Sequence, residues 1–173
     1  IWEKQISMVG VANTGSDNDE IDNFFETFIR SKIVATRSAA EKYTFRNYHR
    51  ILFVGEVEEY FRLNRNAANT KKFLQNDFIY YTNLYSRIRT LRPALNKDYP
   101  FLYFNQLNEL TGHYLLILSA CKLNDPDEDE KIKIISYQYD KMFVLLQLQK
   151  AYPNNLLADL TYSISNEIRA KEA

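Results

Sequence analysis

Two histidines, one cysteine and a run of carboxylates are the side chains whose chemistry has to be tested first in this 173-residue sequence. His49 and His113 fall on different predicted helices, and neither has Cys, Asp or Glu at the spacing of a zinc or di-iron site. Glu109 and His113 are four residues apart, so on one helix they share a face and form a hydrogen-bonded pair beside the core. His49, between Tyr48 and Arg50, reads as structural in the same way. Cys121 is predicted at a helix C-terminus, where the negative end of the helix dipole disfavours a reactive thiolate. The acidic run Asp125, Asp127, Glu128, Asp129 and Glu130 fails as a calcium loop. Pro126 holds its second position, Glu130 stands where the sixth needs glycine, and Ser136 stands where the twelfth needs a bidentate carboxylate. These carboxylates suit the first turn of a helix instead. No phosphate loop or dinucleotide-type glycine turn occurs. The expectation is that the chain carries no catalytic residue, no metal site and no cofactor.

Charge segregation is the feature that rises above this background. Between Arg30 and Arg92 thirteen bases stand against five acids, a net of about +8, while both flanks are acidic and the whole chain is neutral. Arg46 and Arg50 share a helix face, and Arg62, Arg65, Lys71 and Lys72 bracket an Asn-rich connector. Together these six form a candidate phosphate-tracking patch, with Tyr43, Tyr48 or Tyr60 near enough in sequence to stack on bases. The competing reading pairs the same charges with the acidic terminal helices inside the domain. Tyrosine is abundant, at 13 residues, and the ordinary use of so many is core and interface filling.

These residues must be held by helices. Glycine and proline number four each, too few for the turns that hairpins demand. Apolar periodicity predicts helices at about 2–9, 20–34 and 38–53, a break at Gly55, and further helices to Leu63 and over 71–91, 100–120, 127–149 and 156–169. Asp17 or Asp19 is the expected cap of the second, Asn69 or Thr70 of the one over 71–91, and Asp125, followed by Pro126, of the one over 127–149. Residues 100–120 are apolar nearly all round and are predicted to be the central core helix. The fold class is therefore all-α: a single domain over 1–173, an irregular bundle of about seven helices. The first residues are read as the start of a fragment excised from a longer multidomain protein. One cysteine and no apolar run of membrane-spanning length point to a cytoplasmic chain without membrane contact.

Several stretches together resemble the middle, helical region of the GmrSD-like family of DNA-defence proteins. They are the opening Trp2 helix, Asp22-Asn-Phe-Phe-Glu-Thr-Phe-Ile-Arg-Ser-Lys32, Tyr48-His-Arg-Ile-Leu-Phe53, Asp98-Tyr-Pro-Phe-Leu102, Lys131-Ile-Lys-Ile-Ile135 and Phe143-Val-Leu-Leu-Gln-Leu148. The likeness lies in apolar and aromatic positions. In that family a ParB-like domain with an Asp-Gly-Gln-Gln-Arg motif precedes the helical region and a His-Asn-His-type nuclease follows; neither motif occurs here. The resemblance implies a non-catalytic module of a restriction-type, phage-defence protein, with neighbouring domains of the same polypeptide as partners and DNA phosphates as a further contact. The alternative is a protein-interaction or homo-oligomerisation module with no nucleic-acid role. A third reading is an enzyme whose site another chain completes.

Overall fold

The computed structural model describes residues 1–10, 17–43, 51–149 and 153–172, and among them every regular element is helical. Helix α1 (Trp2–Gly10) lays Trp2 flat on Phe78, 4.9 Å between ring centroids, and sinks Gln5 to accept a hydrogen bond from Thr82. Helix α2 (Asp17–Ile33) begins earlier than its periodicity suggested; the side chains of Asp17 and Asp19, its expected caps, lie outside the described residues. Phe24, Phe25, Phe28 and Ile29 recur at helical spacing on α2 and are fully buried, which makes one face of it the wall of an aromatic core.

The expected helix over 38–53 is described only in part. Thr36 caps a single turn, α3 (Arg37–Ala40), which tightens into a 3₁₀ turn at Glu41–Tyr43. The break expected at Gly55 falls just before it, and α4 (Gly55–Tyr60) ends three residues short of Leu63 because the chain then turns left-handed. The next helix also starts before its expected cap. Asn66, not Asn69 or Thr70, accepts from the backbone N–H groups of Ala68 and Asn69 and opens α5 (Ala67–Phe73). A π turn at Leu74–Phe78 joins α5 without interruption to α6 (Ile79–Leu91), and Pro93 lies just past its end as expected.

Residues 100–120 are two helices rather than one. α7 (Pro100–Leu107) closes in a Schellman turn: Leu110 N–H reaches the Asn105 carbonyl at 2.8 Å and Glu109 N–H that of Gln106 at 3.0 Å, with Glu109 at φ +55°. Leu110 plugs the turn from the core side. Glycine is the usual residue at such a left-handed position, and its absence here is why the break does not show in the sequence. α8 (Gly112–Ala120) follows, with every residue from His113 to Ala120 buried, so the central helix is the second half of the expected one.

α9 (Glu128–Leu148) starts at Glu128. The Asp125 carboxylate bonds the N–H groups of Asp127 and Lys122 in the turn ahead of the helix instead of capping a helix at Pro126. α10 (Pro153–Glu172) has Pro153 as its first residue, where the missing N–H costs nothing. α8 is wrapped by α2, α6, α9 and α10, while α1 packs across α2 and α6 and α7 lies on α9. Gly112 is required at the head of α8, since a Cβ there would lie 2.1 Å from the Tyr139 hydroxyl on α9.

Candidate nucleic-acid interface

The six residues expected to follow phosphates do not form one continuous patch. Arg46 and Arg50 lie outside the described residues, as do His49 and Tyr48. Arg62, Arg65, Lys71 and Lys72 are all exposed, and among the described residues none of the four makes an ion pair. They open onto two different hollows. Arg65 and Lys71 line one of about 520 Å³ with Phe53, Thr70 and Gln75; Arg62 and Lys72 line another of about 480 Å³ with Lys32, Tyr60, Asn69 and Asp77.

The segment that carries them is built under strain. α4 ends in a Schellman turn, with Leu63 N–H on the Glu58 carbonyl and Arg62 N–H on that of Glu59, both at 3.0 Å. Arg62 occupies the left-handed position at φ +53°, and Asn64 and Arg65 follow at +48°. Asparagine tolerates that region, but each arginine there costs about 1–2 kcal/mol. Leu63, with no exposed surface, anchors the turn in the core, and Asn66 N–H closes on its carbonyl at 2.9 Å. The two guanidiniums are thus held outward by a backbone that resists relaxing. Of the tyrosines expected to stack on bases, Tyr60 is half exposed beside Arg62, whereas Tyr43 is buried and donates its hydroxyl to Glu56. That bond and burial push the Tyr43 phenol up to about 12, burial being the larger cause.

The other described cations of the basic segment have partners within the chain, some on the acidic terminal helices and some not. Arg30 pairs with Glu26, Arg37 with Asp159, Lys42 with Glu56, and Arg87 with both Glu128 and Asp129. Arg89, nearly buried, bonds Glu20 and the Val9 carbonyl, each at 3.0 Å. Lys32 on α2 reaches the Tyr81 hydroxyl at 2.8 Å and the Leu118 carbonyl on α8. Sequence reasoning had no local signal for that burial, because three elements far apart in the chain create it.

A third hollow, a cleft of about 620 Å³, lies between α2, α6, the head of α8 and α10. Two of its carboxylates are already engaged: Glu20 accepts from Tyr85 at 2.6 Å and from Arg89, and Glu26 pairs with Arg30. Arg92 donates to the Tyr114 hydroxyl at 2.8 Å. Burial drives the Tyr114 phenol up to about 12 even against the Arg92 charge.

The expected Glu109–His113 pair does not exist. The Schellman turn separates the two, leaving Glu109 exposed and His113 with no exposed surface and, among the described residues, no hydrogen-bond partner on either ring nitrogen. Burial, aided by the nearby Arg92 charge, holds the His113 pKa well below the ordinary histidine value. Cys121 is buried behind the C-terminus of α8; desolvation, with Asp125 and Glu128 adding to it, lifts its thiol to about 12, as the dipole argument anticipated in direction. Among the described residues no group of His, Cys, Asp or Glu could hold a metal ion, and no helix is long and apolar enough to cross a membrane. No protein family, curated protein or solved structure was found to match the chain.

Proposed function

We propose that this chain is a non-catalytic helical module of a bacterial restriction-type DNA-defence protein, one that positions neighbouring nucleotide-using and nuclease domains and touches DNA phosphates through residues 62–72. The observation that carries the phosphate contact is the turn after α4, where Arg62 and Arg65 stand exposed on left-handed backbone with no carboxylate partner among the described residues, while most described bases of the same segment are paired or buried. The aromatic and apolar positions shared with the GmrSD-like middle region support the assignment to a defence protein.

Fluorescence anisotropy with a duplex oligonucleotide at low and moderate salt tests the contact. Binding is expected at low salt, with an affinity that falls steeply as salt rises because each neutralised phosphate releases counterions. The combined variant Arg62→Glu, Arg65→Glu, Lys71→Glu and Lys72→Glu is expected to abolish it without loss of helicity. No binding by the intact chain at low salt would end the phosphate reading. A second reading, an interaction or oligomerisation module, is favoured by a different observation: a row of exposed apolar side chains on α7 and α9.

A further inference from the structure

The hollow of about 480 Å³ beside the end of α4 is of the size that small-molecule sites have, and its lining mixes rings with charges. Tyr60, Phe61, Phe73 and Tyr81 supply the rings. Lys32, Arg62 and Lys72 stand against Asp77, an excess of two positive charges. Lys32 forms the floor: it is 7% exposed, and its ammonium donates to two neutral oxygens, the Tyr81 hydroxyl and the Leu118 carbonyl. Arg62 and Lys72 are exposed at the rim.

Two departures from regular backbone build this lining. One is the left-handed position of Arg62. The other lies between Lys72 and Tyr81, which are nine residues apart and would stand about 180° apart around a regular α-helix. They line one hollow because the π turn Leu74–Phe78 lies between them and winds more slowly, and the same turn carries Asp77. Both kinds of irregularity recur where a fold presents groups to a ligand. Asp77 is partly buried and makes no ion pair among the described residues. Burial lifts its carboxyl above the ordinary value, against the pull of its own backbone hydrogen bond and of the Lys32 and Lys72 charges. The Tyr60 ring is held edge-on to Phe61, 5.0 Å between centroids, and Phe61 is itself stacked on the buried Phe28. Half of Tyr60 nevertheless faces water. Burial raises its phenol, Arg169 lowers it and Asp77 raises it again, so the carboxylate and the ring border the same space.

We propose that this hollow seats one nucleotide by its terminal phosphate. Arg62 and Lys72 take the phosphate above the Lys32 charge, the base stacks on Tyr60, and Asp77 accepts from the amino group of the base. Charge selects a terminal phosphate over an internal one: a phosphomonoester carries about −1.5 to −2 at neutral pH, matching the excess of two, whereas a phosphodiester within a strand carries one. Rings interleaved with cations are the combination that holds a single nucleotide, because every base has a face to stack. Asp77 separates this site from one for bare phosphate. A carboxylate repels the anion, and it becomes useful only where the ligand also brings an N–H donor, as adenine, guanine and cytosine do through their amino groups. A free nucleoside monophosphate and the 5′-phosphorylated end of a strand present the same group.

This site deepens the phosphate reading of residues 62–72, with which it shares Arg62 and Lys72, and the two fail separately. Isothermal titration of the intact chain at low salt with AMP, UMP and ribose 5-phosphate tests it. AMP is expected to bind with a dissociation constant below about 1 mM. It should bind tighter than ribose 5-phosphate by about fivefold to a hundredfold, the range of one base stack, and tighter than UMP, which has no amino group. Lys72→Glu and Tyr60→Ala should each weaken AMP by about fivefold or more with unchanged helicity. Arg65→Glu with Lys71→Glu, on the neighbouring hollow, should leave AMP binding as it is. Asp77→Asn should erase the preference for AMP over UMP. A 5′-phosphorylated single strand that displaces AMP where its 5′-hydroxyl counterpart does not identifies the strand end as the ligand, and AMP that neither strand displaces identifies the free nucleotide. Displacement by both strands alike, AMP no tighter than ribose 5-phosphate, or AMP binding unchanged by both Lys72→Glu and Tyr60→Ala overturns the proposal. Duplex binding without AMP binding would leave only the phosphate contact standing, and AMP binding without duplex binding would leave only this site.

Discussion

Arg89 and Arg65 carry the same guanidinium in the same basic segment, yet Arg89 is buried between Glu20 and the Val9 carbonyl while Arg65 stands in solvent on left-handed backbone. Their neighbours share their fates. Arg87 on α6, Arg92 just past its end and Lys32 on α2 are tied to carboxylates, phenols and carbonyls that belong to other helices. Around α5, Arg62, Lys71 and Lys72 make no ion pair among the described residues. Composition is alike in the two regions, so position relative to α8 decides. A cation whose helix packs across the core must be desolvated and needs partners, whereas one on a turn at the edge keeps its hydration and its freedom to meet an anion.

The comparison would break first at Arg89. Arg89→Ala strips Glu20 of its cation and the Val9 carbonyl of its donor, and urea unfolding should show a loss of about 3 kcal/mol. Arg65→Ala should move stability by less than about 0.5 kcal/mol. If the two variants unfold alike, the division between structural and available cations is wrong.

The tied region also predicts an acid sensitivity. Because the folded-state pKa of His113 is depressed, the unfolded chain binds a proton there that the folded chain refuses. Stability from this group is therefore intact above the ordinary histidine pKa of about 6.5 and falls as pH drops below it, by up to about 1.4 kcal/mol per pH unit. His113→Phe should remove that slope and, by eliminating two unpartnered ring nitrogens, raise stability at neutral pH by about 1 kcal/mol or more. Unfolding midpoints of both proteins between pH 5 and 7 measure it, and an unchanged slope in the variant would show that His113 does not cause it.

The smallest effect compares two turns of the same kind. Arg62→Gly and Glu109→Gly each place glycine at the left-handed position of a Schellman turn, and each should stabilise the fold by up to about 1 kcal/mol. Only Arg62→Gly should weaken DNA binding. Equal binding by both variants would mean that the strain at Arg62 holds no contact in place.

Those two turns also mark the limit of what local patterns reveal. The aromatic face of α2, the stop before Pro93 and the start at Pro100 follow from spacing and proline chemistry alone, and the structure has them. The division of residues 100–120 does not, because Glu109 does the work usually given to glycine and only the burial of Leu110 makes the turn hold. The early start of α5 did have a signal: in Asn64-Arg-Asn66 the first Asn tolerates left-handed backbone and the last is a preferred cap. Of the candidate interface, the residue types at 62–72 and their excess of charge were legible. Which bases were available was not, since pairing joins residues as distant as Arg87 and Asp129.

The all-helical class came from the sequence itself, because scarce glycine and proline and a 3.6-residue apolar period act locally, within each helix. Tertiary structure decided which cations are used up, that His113 lies buried and unpartnered, and that α9 keeps an apolar face in water. Each depends on which helices meet α8, and burial, which sets the cost of a charge and the pKa of a ring, is a property of that assembly and of no segment alone.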